Sequence, residues 1–389
     1  MSAGSAVPSV SAGSGVPSVS TGSAVPVARS VSAGPALPSA GPAAPAGQSG
    51  SGVPTGVERW LSGVAGPFRE VGDLKRVRVA HAPGSVAERA FVRAWAALVA
   101  GADPARVAAR ESAAALAGAR LAGVDGAVLR RCGLAPAEAV AVLDRAVDEV
   151  SAALHPDAVA RAHAAVPALV AGPDDAGPDA AEDAVGSDDA ADDAAADPPV
   201  SGAAAAGGPR AVPGFVGALC RQPRAGATAP GQPRLVVEPP ENHAEHCWAV
   251  AVYGGLLADG LGADPADAFL LGLAHHLHNA VLPDAGFAGE VLLGDRLEPV
   301  LERLTERELA TLPAPLAGRV RALLALRADA ATPVGRAFHA ADVLDRVLQV
   351  HHHARAAGFT AAQALVDLEL VHAGPVTDYH HAVLAAAGL

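Results

Sequence analysis

Imidazole is the side chain best suited to hold a transition metal near neutral pH, and it is a poor filler of an apolar helix. Most of the fifteen histidines of this chain fall after residue 210. In ENHAEHCWAVAVYGGLLA, His246 opens an apolar run. In FLLGLAHHLHNAVLPDAGF, His276 stands three residues after Leu273, on the stripe of Phe269 and Leu270, with His275 beside it and Asn279 one turn on. In GRAFHAADVLDRVLQVHHHARAAG, Asp342 adjoins the stripe of Phe338, Ala341, Leu344 and Leu348. A polar group on such a stripe needs a buried partner. Imidazoles and carboxylates that meet across helices share a proton, a charge or a metal. The neighbours read differently. His243 and His278 are expected at the surface or behind the site. His351, His352 and His353 occupy successive helical positions and cannot all face one site, so they read as a solvated helix end. Asp345 with Arg346 reads as a surface pair, and Glu290 as solvent-facing. Asp284, after Pro283, is open between a catalytic carboxylate and a turn residue.

Helices must position these groups. Apolar residues recur at helical spacing through Phe269, Leu270, Leu273 and Leu277, through Val320, Leu323 and Leu324, and through Phe338 to Leu348. Gly262, Pro283, Pro313 and Gly358 punctuate them, and no run alternates with period two, so the fold class is expected to be all-α. Four segments follow from composition. Residues 1–56 are a low-complexity tail in which SAGSAVPSV returns as SAGSGVPSV and STGSAVPVA, and they are expected to be disordered. Residues 57–171 are a smaller helical unit, with Phe91, Trp95, Leu98 and Val99 on one face. Residues 172–210 are an acidic linker, and 211–389 a second ordered unit. An internal echo links the two ordered units: SVAERAFVRAWAALVAGADPARVA from Ser85 resembles NHAEHCWAVAVYGGLLADGLGADPADAF from Asn242 with a four-residue gap. The first copy has Arg89 where the second has His246, and no histidine near its Ala114.

Composition excludes several functions. The net charge is -13, and no basic patch carries interleaved aromatics, so a nucleic-acid surface is not expected. Cys132, Cys220 and Cys247 are few and widely spaced, which argues for a reducing compartment. Neither a signal peptide nor a membrane span is legible, so the cytoplasm is the expected location. The oligomeric state is left open.

An AEH segment before an apolar helix, a His-His pair near the end of the next, and an AAD segment in a later helix together resemble the HD superfamily, specifically its 5′-deoxynucleotidase-like phosphohydrolases. The resemblance covers roughly residues 211–385. It implies an all-α HD helical bundle, preceded here by the smaller helical unit and the disordered segments, with metal ligands at His246, His275, His276 and Asp342. It also implies a water-activating group at the position of Asn279 and a further carboxylate at Asp284. Two residues depart from the pattern. The family's name-giving Asp is His276, and its Glu is Asn279, which cannot accept a proton.

No histidine lies between His278 and His339, so a dinuclear site would lack ligands and one divalent ion is expected. Three imidazoles and a carboxylate suit a transition metal such as zinc, iron, manganese, nickel or cobalt, which the residues do not distinguish. Two functions remain open: a metal-dependent phosphohydrolase acting on a nucleotide or other small phosphorylated ligand, and a catalytically silent module binding a small ligand or partner in regulation.

Overall fold

Helix after helix in this chain starts on a side chain that satisfies the helix's own first N–H groups. Ser85 accepts from Glu88 N, Asp103 from Ala105 N, Asn242 from Glu245 N and Asp264 from Asp267 N. Proline follows at the first helical position after Asp103 and Asp264, where its missing N–H is no loss. In the computed structural model, which describes residues 55–171, 211–236, 238–357, 365, 370–371 and 373–389, these signals yield α1 (Thr55–Asp73), α2 (Val86–Ala100), α3 (Pro104–Leu121), α4 (Gly126–Arg131), α5 (Pro136–Ser151) and α6 (Pro156–Val170). Beyond residue 210 come α7 (Gly214–Arg221), α8 (His243–Leu261), α9 (Pro265–Ala274), α10 (Gly286–Leu293), α11 (Leu297–Leu309), α12 (Ala314–Ala325), α13 (Pro333–Ala357) and α14 (Thr377–Ala386). A short antiparallel hairpin, β1 (Arg78–Val79) with β2 (Ala82–Ser85), is the one sheet among the described residues. The fold class is all-α. The low-complexity tail (apart from its last residues, which open α1), the acidic linker and His372 lie outside the described residues.

α8 is the axis of the molecule. Every residue from His243 to Ala258 is buried, as a helix that is apolar all round must be. It packs on α9, α13, α2, α3 and α7. The α8–α9 contact is close because Gly272 carries no side chain: a Cβ there would lie 2.4 Å from Ala251 Cα. That approach brings the end of α9, and the 3-10 turn Leu277–Ala280 beyond it, against the start of α8.

The two ordered stretches drawn on the sequence are not separate in packing. One continuous apolar core includes residues of α1 to α6, of α7 to α9 and of α11 to α14. The Phe68 ring of α1 stacks on Tyr253 of α8 at 4.3 Å, and the Tyr253 hydroxyl donates to Phe68 O at 2.5 Å. Trp95 of α2 meets Phe215 of α7 edge to face at 5.0 Å. The large aromatics that anchor residues 57–171 thus bury themselves against the second stretch as well as within their own. Among the described residues, no helix is long and apolar enough to cross a membrane.

Candidate metal centre

His246 is in the first turn of α8, His275 caps the C-terminus of α9, His276 opens the following turn, and Asp342 is on α13. The structure brings all four together. One ligating atom from each of His246, His275 and His276 lies within 4.8 Å of the others. His275 Nε2 is 3.1 Å from His246 Nε2, and Asp342 Oδ1 is 3.3 Å from that same His246 Nε2. His246 is fully buried and His275 4 % exposed, whereas His276 is partly exposed, so one side of the cluster is open.

The hydrogen bonds behind the imidazoles decide what the rings can do. His246 Nδ1 lies 2.8 Å from Asp345 Oδ2, His275 Nδ1 2.7 Å from Gly272 O, and His276 Nδ1 2.8 Å from Asn279 Oδ1. Asn279 Nδ2 donates to Leu282 O, which leaves Oδ1 as the group facing His276. Each Nδ1 therefore faces an oxygen that can only accept, and must carry the proton and donate. With Nδ1 engaged in this way each ring has Nε2 left for the cluster, where His246 Nε2 already meets His275 Nε2 and Asp342 Oδ1, and outer partners of this kind orient imidazoles for a metal. Burial, reinforced by the neighbouring imidazoles, holds His275 and His276 well below the ordinary histidine range, so both rings are neutral. Burial would raise the Asp342 carboxyl, but the His246 hydrogen bond and the Arg346 guanidinium overcome it and keep Asp342 ionised. Neutral imidazole nitrogens with an ionised carboxylate are a donor set that fits a divalent transition ion.

Asp345 and the histidine triplet of α13 were misjudged from the sequence. Asp345 is not part of a surface pair: it is 1 % exposed, and between His246 Nδ1 and Lys75 Nζ, at 2.5 Å, both its oxygens are engaged. It lies one helical turn from Asp342, so a pair of carboxylates at i and i+3 was the available signal. Arg346 turns instead to Asp342, at 3.4 Å, and to the carbonyl of Leu370. The triplet on α13 is not a solvated helix end, since His353 is buried against Gln349 and His352 Nδ1 is 3.1 Å from Asp73 of α1. His243 and His278 are both buried, and the His243 ring packs against His276 at 4.9 Å. Glu290 is exposed, as expected.

Two cations complete the surroundings. Lys75, the one lysine of the chain, also donates to Glu241 at 2.5 Å, so a single ammonium lies between two buried carboxylates. Nothing local marks it, because its partners lie 166 and 270 residues away. Arg224 lies 3.9 Å from Glu241, and its Nη1 is buried with no hydrogen-bond partner.

Asn279 and Asp284, the positions carried over for water activation, are both engaged in holding structure. The Asn279 amide is spent at both ends, as described. Asp284 accepts from Ala225 N and from Gly286 N, each at 2.8 Å, which ties the loop after α7 to the start of α10. Burial would raise its carboxyl, yet Arg224 and these two N–H groups hold it below the usual carboxylate range, which makes it a weak base. His243 Nε2 is 3.7 Å from Asp284, and burial pushes that imidazole down to about 3.

No curated protein and no solved structure matches the chain. Residues 216–372 match the family model described as HD domain, a stretch that runs from α7 past the end of α13 and contains every residue of the cluster except the lysine. The match supports assigning this part of the chain, the part that carries the histidine cluster, to the HD-domain superfamily.

Proposed function

We propose that His246, His275, His276 and Asp342 hold one divalent transition metal, and that the chain is an HD-type metal-dependent phosphohydrolase acting slowly on a nucleotide or other small phosphomonoester. The observation that carries this reading is the convergence of the three imidazoles, one ligating atom of each within 4.8 Å of the others while each Nδ1 is hydrogen-bonded to an oxygen. A bound divalent ion would supply Lewis-acid polarisation of a phosphoryl oxygen and acidify water. The chain's own groups account for binding. The open side at His276 and Asp342 admits a ligand, and the buried Arg224 Nη1 is a donor of the kind that takes a phosphoryl oxygen. Asp345 and Lys75 fix the His246 ring, and Asn279 fixes that of His276.

What the residues lack is a proton acceptor for water. Asn279 has no basic lone pair, and Asp284 is held ionised by its donors. The same observation favours the second reading, a metal-holding module that binds a phosphorylated ligand without turnover. The 5′-deoxynucleotidase-like branch belongs to the proposal only as a guide to substrate. The test is to load the protein with zinc, iron and manganese in turn and assay deoxynucleoside monophosphates, with the double variant His276→Asp, Asn279→Glu beside the parent. General-base catalysis contributes roughly 100- to 10,000-fold, and a gain in that range in the double variant is expected. A double variant that folds and binds metal but gains nothing on any nucleotide would contradict the substrate class. Slow metal-dependent turnover by the parent supports the enzyme reading, and none supports the silent one.

A further inference from the structure

α10 is unlike the helices that carry the histidine cluster. Its sequence, GFAGEVLL, is apolar but for Glu290, yet none of its residues is buried, and Leu292 is 88 % exposed. Burial of an apolar face is what usually fixes a helix in place, so this one is loosely fixed. It is bounded by glycines in the left-handed region, Gly286 at φ 65° and Gly294 at φ 52°. Its start is tied down: Gly286 N donates to Asp284 Oδ1 at 2.8 Å, and Ala288 N to Thr228 Oγ1 at 3.2 Å. Sparse apolar packing between two glycines marks a segment that moves as a unit about its ends.

Both ends of α10 lead to the open side of the cluster. Asp284, which holds its start, is 3.7 Å from His243 Nε2, and the His243 ring packs on His276. Beyond its other end, α11 packs on the turn Leu277–Ala280, the turn that His276 opens. His276 is the partly exposed imidazole of the cluster. The one charged side chain of α10 is placed towards the same side, since the charges acting on Glu290 are Asp284, Arg346, Arg327 and Arg224. Arg346 lies 3.4 Å from Asp342, Arg327 donates to His275 O at 3.2 Å, and Arg224 acts on Asp284. Desolvation, then the Asp284 carboxylate, raises the Glu290 carboxyl above its ordinary range in spite of the three guanidiniums. A carboxylate so raised is a better proton acceptor than Asp284, which its donors hold low.

We propose that α10 is a lid hinged at Gly286 and Gly294, and that its closure over His276 brings Glu290 to the phosphoryl site as the proton acceptor that Asn279 is not. The proposal rests on the phosphohydrolase reading of the cluster. The oxygen of water bonds to phosphorus as the ester P–O bond breaks. The proton that water sheds passes to the Glu290 carboxylate, which returns it to the departing alkoxide. Val291, Leu292 and Leu293, all exposed, give the lid an apolar surface that excludes solvent on closure. An acceptor that arrives only with closure gives the slow turnover that the reading requires.

Two measurements test it. Hydrogen exchange of residues 286–294 is followed in the zinc-loaded full chain with and without inorganic phosphate. Phosphate is expected to slow exchange in the parent and to leave His275→Ala unchanged, and no slowing in the parent would overturn the lid. Turnover of deoxynucleoside monophosphates is then compared between the parent and Glu290→Gln, a change at an exposed position that spares the fold. Glu290→Gln should lower kcat by about tenfold or more, the contribution of a general base scaled by the closed fraction, with KM little changed. In the His276→Asp, Asn279→Glu background, which carries its own acceptor, the same change should have little effect. Equal kcat in parent and Glu290→Gln, or the same loss in both backgrounds, would overturn the role of Glu290. A parent in which phosphate slows exchange in α10 without any metal-dependent turnover would contradict the phosphohydrolase reading, and the role of Glu290 with it, while supporting the lid.

Discussion

The histidine cluster lies at the start of α8, and an arginine-lined cavity lies beside α2 and α3, a helix pair capped in the same way as α8 and α9. At the start of α8, charge is buried and matched: Lys75 lies between Asp345 and Glu241, and Asp345 in turn holds His246. Beside α2 and α3, the wall of that cavity, of about 850 Å³, carries Arg89, Arg93 and Arg131, of which Arg93 is held by Glu111 and Arg131 is exposed. A region whose polar groups are satisfied from behind and left open in front is pre-organised for a small cation. Helices capped alike thus carry different side chains, and the difference lies in where the hydrogen bonds go.

Removing one charge should therefore have very different consequences in the two regions. Lys75→Met strands two buried carboxylates, and breaking a buried pair in this way costs about 3–5 kcal/mol. Arg131→Gln removes an exposed charge and should stay within about 0.5 kcal/mol of the parent. Urea unfolding of both variants measures this. Equal, small losses would show that Lys75 is not confined as described.

Acid should act through the histidine region. Burial, then Arg327, pushes His278 down to about 4, and burial pushes His380 down to about 4 against the opposite pull of Asp342. Unfolded, each titrates near 6.5. Above that value both states are neutral and stability is complete. As pH falls from 6.5 towards 4 the unfolded chain takes up protons that the folded chain refuses, and stability is lost. The loss at pH 5 is roughly 2 kcal/mol per group. The cavity lining holds no histidine. Unfolding of the chelator-treated protein at pH 7.5 and pH 5 checks the direction, and equal stability at the two values would contradict the burial of these rings.

The smallest effect compares the two helix starts directly. Ser85→Ala and Asn242→Ala each remove an N-cap, worth about 1 kcal/mol. The two losses should be similar, because each cap also bonds across to the other helix start, Asn242 to Glu88 and Ser85 to Glu245. Thermal unfolding of the two variants decides, and a loss at one cap several times that at the other would contradict this likeness of the two helix starts.

The sequence made the helical class legible because apolar spacing and caps act locally. It also made His246, His275, His276 and Asp342 legible as a group, since a polar residue on an apolar stripe has to be answered from another helix. It did not show that Phe68 and Trp95 belong to the same core as Tyr253 and Phe215, because an aromatic on a helix face does not say which partner it meets. Lys75 and Arg224 were invisible for the same reason, being functional only through chain crossings. Asp345 was misread because adjacency to Arg346 was weighed above its place one turn from Asp342.

The central claim is that three Nε2 atoms and Asp342 converge on one metal ion. The most direct measurement is anomalous X-ray scattering from crystals of the full chain loaded in turn with zinc, iron and manganese. The account predicts one peak per chain, about 2.0–2.2 Å from the Nε2 atoms of His246, His275 and His276, and its loss in His275→Ala. Crystals showing these imidazoles ordered as described, with no peak among them after any of the three metals, would contradict it.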